Sequence, residues 1–200
     1  MAKIRHMDRS FILSILPFVA ASITSLCAQT PTKPSPSPPP ATLRSVLLSQ
    51  LLSTHDKAEW FTPMNTAVAG LTAEQAKWVP QNAQGKRDPK ANHSVGMLTY
   101  HLVFWNENAL ARLHGEKPTG PNNNDETFNA FTKEQWTQTL KKLDDVLLEL
   151  EKTIQNADEA SLKSWAETIS NISTHNAYHT GQIIFVRKLQ GSWKPEKGAK

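Results

Sequence analysis

From Trp136 to Ile154 the apolar residues Trp136, Leu140, Leu143, Leu147, Leu150 and Ile154 recur in alternating steps of four and three. Such steps place these six side chains on one stripe of a helix and leave most of the intervening Lys, Asp and Glu residues on the other side. A two-residue strand period would send the same side chains to both faces. A seam this long must be covered by other helices, so it commits the chain to a helical bundle. Thr132 and Gln135, just ahead of it, form the T-x-x-Q pattern of a capping box.

Three more segments carry helical periodicity. Thr42 opens a pattern of Leu43, Leu47, Leu51, Thr54, Ala58 and Phe61 that runs to about Phe61, where Pro63 permits an end. Asn92 or Ser94 can cap a second, with Met97, Leu98, His101, Trp105 and Asn108 facing inward down to about His114 and Gly115 as the stop. The last runs from about Leu162 to Leu189, with Gly191 as cap. Leu71–Pro80 predicts one short helix, with a capping box at Thr72 and Gln75. Gln81–Asn92 and Glu116–Phe131 read as loops, the second long enough to cross the length of a bundle. The short link Asn156–Ala160 predicts that the third and fourth long helices are antiparallel neighbours. No alternation of strand type appears. The fold class expected is therefore all-α: a four-helix bundle with one short extra helix in the first long connection, and a winding other than simple up-down-up-down.

The 200 residues suit one domain. Residues 1–28 have a basic start, an apolar run from Phe11 to Leu26 broken by Pro17, and Ala28 before Gln29, which together resemble a secretory signal peptide. The alternative is an uncleaved signal anchor; no later stretch is long and apolar enough for an integral span. Residues 29–41, with six prolines between Pro31 and Pro40, read as a disordered tether; 42–193 form the domain and 194–200 a flexible tail. An exported, periplasmic or extracellular protein is expected. Of the formal charge of +4, Lys3, Arg5 and Arg9 against Asp8 account for +2, which leaves +2 for the rest. That rest interleaves both signs, as in K-K-L-D-D, and carries no footprint for nucleic acid. Cys27 is the only cysteine, so cleavage after Ala28 leaves no thiolate ligand and any metal site must use His and oxygen donors.

His175 and His179 lie four residues apart on the stripe of Ile172, Ile183 and Val186, roughly 40° apart around a helix, where two imidazoles can reach one ion. His101 is a third inward histidine. The three give a three-nitrogen cap with at least one coordination position open, the pattern of a catalytic or substrate-binding site rather than a closed structural one. Core histidines satisfied by hydrogen bonds are the alternative. His55 reads as a core-edge residue, and His93 and His114 as residues at the ends of their helix. Gln182, Tyr178, Trp105 and Asn108 are candidates to hold a ligand or contact a small-molecule substrate; no catalytic residue is assigned. In the H-E-x-x-H of zinc proteases the glutamate is the general base, and here Asn176 stands in its place, which argues against proteolysis. No G-x-S-x-G or phosphate loop is present.

The stretches H-N-A-Y-H-T-G-Q-I, L-T-Y-H-L-V-F-W-N-E and L-T-A-E-Q-A-K-W-V-P resemble the DinB-like (YfiT-type) superfamily over roughly Leu43 to Trp193. The resemblance implies an up-down-down-up four-helix bundle with one divalent metal, zinc or nickel, on His101, His175 and His179. It implies no DNA binding. Relatives include thiol S-transferases and a thiol-dependent isomerase. The functional expectation is a metal-dependent enzyme, thiol S-transferase-like or a hydrolase, with a non-catalytic metal or small-ligand binding protein of the cell envelope as the alternative. A homodimer is left open.

Overall fold

The computed structural model of the protein describes residues 40–88, 90 and 92–194; the expected signal peptide, all but the end of the tether, and residues 195–200 lie outside them. Among the described residues there are seven α-helices and no strand, only an isolated bridge between Gln81 and Arg87. No helix among them is long and apolar enough to cross a membrane.

Helix α1 (Leu43–His55) is capped by Thr42, which accepts from the Ser45 backbone N–H, and buries Leu47 and Leu51. It ends at His55, earlier than the apolar pattern suggests. Ala58 and Phe61 are exposed and Trp60 is 97% exposed, so nothing packs on a further turn. The chain instead forms α2 (Met64–Val68), a turn with no periodic signal of its own whose Met64 and Ala67 are fully buried. Helix α3 (Ala73–Ala76) follows, with the expected Thr72–Gln75 box. Helix α4 (Val95–Leu113) is capped by Ser94, and Gly115 closes it at φ +82, a backbone conformation that glycine takes without strain. The loop after it contains an unexpected short helix, α5 (Glu126–Asn129). A 3₁₀ turn at Lys133–Gln135 leads into α6 (Trp136–Asn156), and α7 (Glu159–Gln190) completes the bundle behind Asp158, which accepts from the Ser161 N–H at 2.7 Å.

Helices α1 and α4 each pack on both α6 and α7, which places α1 opposite α4 and α6 opposite α7. The expectation that α6 and α7 are packed neighbours is therefore wrong. Ala157 and Asp158 are both extended and carry the chain across the end of the bundle. Arg44 fills the space between, donating to the carbonyls of Ile154 and Gln155 at 2.9 Å each and meeting Glu159 at 3.5 Å. Those contacts put the start of α1 beside the end of α6 and the start of α7. His114, after the end of α4, meets Thr153 near the end of α6. Thus α1 and α7 run one way, α4 and α6 the other. The core between them is largely apolar: Leu51, Leu102, Leu147, Leu150, Ile154 and Ile183 are all buried, each worth on the order of 2 kcal/mol of burial.

Candidate metal centre

Helices α4 and α7 face each other in antiparallel register, and a buried pair of asparagines sets that register. Asn106 and Asn176 exchange amide hydrogen bonds at 2.7 and 3.0 Å, and both are 0% exposed. Each satisfies the other, so a shift along the helices would leave amide groups buried without partners. Asn176 is also the position of the glutamate in a zinc protease, and it is spent here on packing.

With that register His101 comes level with His175 and His179. One ligand nitrogen from each ring lies within 4.8 Å of the others, and Nε2 of His101 is 3.1 Å from Nε2 of His175. Two nitrogens bound to one tetrahedral ion at about 2.0–2.1 Å are roughly 3.3 Å apart, so this spacing is compatible with a shared cation. The far side of two rings is fixed by hydrogen bonds. The Thr127 hydroxyl donates to the Asn124 carbonyl at 2.6 Å, so its oxygen accepts from His101 Nδ1, also at 2.6 Å. His179 Nδ1 donates to Gln182 Oε1 at 2.6 Å, and the same amide donates to the Tyr178 hydroxyl at 3.0 Å. Both imidazoles thereby carry their proton on Nδ1 and turn an unprotonated Nε2 inward, the arrangement that metal-binding histidines use. His175 lacks such a partner among the described residues: its Nδ1 is buried and unpaired there.

Burial, reinforced by His179, His175 and His93, pushes the His101 imidazole down to about 3; burial and then His179 bring His175 to about 4. His179 is lowered by burial, with Gln182 opposing. All three are neutral at pH 7 and available as donors. The donor set is three neutral imidazoles, two of them with the tautomer preset, and it fits a metal ion.

Several contacts come from residues with no sequence signal as site residues. The Phe128 ring lies between His93 and His101, stacked on each at 3.9 Å and 7°. Phe131 packs against Gly96 so closely that a Cβ there would overlap its ring, which seats the α5 segment on the first turn of α4. That is how Thr127 reaches His101 from 26 residues away. The one hint in the sequence is the pair Phe128 and Phe131 in an otherwise polar loop, which has to bury its rings somewhere.

A cavity of about 670 Å³ opens above the histidines between α4 and α7. Trp105 and the exposed Tyr178 line it, and so do Asn108, Arg112, Thr168 and Asn171. Of the four candidates for holding a ligand, Gln182 touches His179 directly and Tyr178 acts on Gln182. Trp105 stands edge-on to His101 at 6.3 Å. Among the described residues Asn108 hydrogen-bonds to no histidine; its side-chain oxygen accepts from Arg112 Nε at 2.9 Å. Glu107 is exposed, as its helical position requires. His55 is deeper than a core-edge residue: it is 1% exposed, is not one of the three clustered histidines, and is clamped by Glu151 and Asp144 at 2.6 and 3.0 Å.

Residues 48–184 match the family profile described as the DinB superfamily, a span that contains every residue of this centre. The chain belongs to the DinB superfamily. DinB-like domains bind metals, which agrees with the donor set on α4 and α7. No curated protein and no solved structure matches the chain significantly. The DinB assignment thus carries the fold and the metal-binding character, while substrate and chemistry have to be read from the site.

Proposed function

We propose that this DinB-superfamily chain is a metal-dependent enzyme that holds one divalent ion, zinc or nickel, on His101, His175 and His179 and acts on a small molecule as a thiol S-transferase or a hydrolase. The observation that carries the reading is the convergence of three neutral imidazole nitrogens in the lining of an open cavity of about 670 Å³, within the size range of small-molecule sites. Three protein donors leave room for a further ligand, whereas a structural ion is closed off by four.

A divalent ion there would supply Lewis-acid chemistry, favouring the anionic form of a nucleophile near neutral pH. The chain's own residues set the rest. Thr127 and Gln182 hold two imidazoles in the donor tautomer, and Phe128 shields the His101 ring from water on one face. Among the described residues no Asp or Glu lines the cavity, so no carboxylate of theirs stands ready as general base. That favours a thiol, whose ordinary pKa of about 8.5 needs little help, over water.

The absence of a general base also supports a second reading, a non-catalytic metal or small-ligand binding protein of the cell envelope. Elemental analysis of protein purified without a metal-affinity tag should find one ion per chain, and full occupancy surviving His179→Ala would sink the metal site. Thiol-plus-electrophile pairs and ester and amide substrates then separate the two readings. Turnover lost in His101→Ala with the fold intact supports the enzyme. Metal-dependent binding without turnover supports the alternative. We also propose that the protein is exported after cleavage following Ala28; N-terminal sequencing of the native product should begin at Gln29, and an intact Met1 in the cytoplasm would reverse the reading.

A further inference from the structure

The cavity is a trough with two unlike ends. His101 and His179 lie at one end. Because α4 and α7 are antiparallel, Arg112 on α4 comes level with Thr168 on α7 at the other. His101 and Arg112 are eleven positions apart, so their Cα atoms are separated by roughly 16 Å along the helix axis. Long helical side chains lean toward the N-terminus, and the bond from Arg112 Nε to Asn108 Oδ1 ties this one down that way, toward the histidines. Asn108 is itself buried and cannot swing aside. The two Nη groups are left without an ion pair among the described residues, and no Asp or Glu lines the cavity to neutralise them.

A guanidinium oriented by a buried amide, at the rim of a cavity that no described Asp or Glu lines, is a receptor for an anionic group. Thr168 and Asn171 add polar side chains at the same end, and Trp105 contributes an apolar wall between the ends. We propose that Arg112 is the specificity-determining residue for an elongated organic anion, its carboxylate or other oxyanion paired with the guanidinium and its apolar middle on Trp105, so that the opposite end reaches the three histidines. This rests on the reading of those histidines as the reactive metal centre, but the anion site is separable from it.

The test uses the full chain, with 4-phenylbutyrate and its neutral amide, 4-phenylbutanamide, as probes in calorimetric titrations. Zinc-loaded wild type should bind the acid about tenfold more tightly than the amide, the scale of one charge-assisted pair near the surface, and salt should reduce the difference. In Arg112→Gln the two affinities should become equal at unchanged zinc content and thermal stability. EDTA-treated wild type should keep the preference. Equal affinities in wild type, no binding of either probe, or a preference that survives Arg112→Gln overturns the proposal. If the surviving preference disappears with EDTA, the carboxylate sits on the metal and the metal reading stands without Arg112. If no zinc is retained yet Arg112→Gln removes the preference, the metal reading fails and the anion site stands.

Discussion

Lowering the pH from about 7 to 5 should destabilise the metal-free protein through its buried histidines, and the size follows from how those rings are held. His101 and His175 titrate at about 3 and about 4 in the folded chain, burial being the main cause. In the unfolded chain both titrate near 6.5, the ordinary value for the residue. A depressed folded pKa means that the unfolded chain takes up protons the folded chain refuses, so stability falls as the pH drops below about 6.5. Integrated over this interval, each ring contributes about 2 kcal/mol, nearly independent of its folded value as long as that stays below about 5. The pair together reaches about 4 kcal/mol, a large share of the roughly 5–15 kcal/mol that holds a domain folded. Urea unfolding of EDTA-treated wild type and His101→Gln at a series of pH values reads chiefly that ring, because groups away from the three histidines cancel in the comparison. Wild type should lose about 2 kcal/mol more than the variant across the interval. The same pH dependence in both would refute the reasoning, since His101 would then be accepting its proton inside the folded protein.

Thr127→Val removes the acceptor on His101 Nδ1 without emptying the space, and should weaken zinc about tenfold in a chelator competition; unchanged affinity would show that the tautomer needs no such partner. His55 titrates in the opposite sense to the metal centre. Burial lowers it, but the hydrogen bonds it donates to Glu151 and Asp144 outweigh burial and raise it, so the clamp stabilises fully below about 6.5 and fades as the pH climbs through the raised folded value. Glu151→Gln should therefore cost about 2 kcal/mol in urea unfolding at pH ~6 and clearly less at pH ~9, and an equal cost at both would mean the imidazole is neutral throughout. Asn106→Leu leaves Asn176 buried and unpaired and should cost about 2–3 kcal/mol, much of it recovered in the Asn106→Leu/Asn176→Leu double variant; absence of recovery would assign the loss to packing.

What the sequence determines here is what neighbouring residues decide among themselves. Ser94 and Gly115 bound α4, and the Thr72 and Thr132 boxes form as read, because a cap is satisfied within one turn. The seam of α6 and the inward turn of His101 and His179 follow from a 3.6-residue period that no distant contact can change. The end of α1 at His55, the turn of α2 and the diagonal placement of α6 and α7 depend on what each segment finds to pack against. So do the second faces of the histidine rings. Thr127 and Phe128 meet His101 only once Phe131 is seated on Gly96, and Arg112 joins the cavity only because paired asparagines hold α4 and α7 in register. An imidazole's position along its helix is local, but the proton on its far nitrogen belongs to whichever group the fold brings within hydrogen-bonding distance.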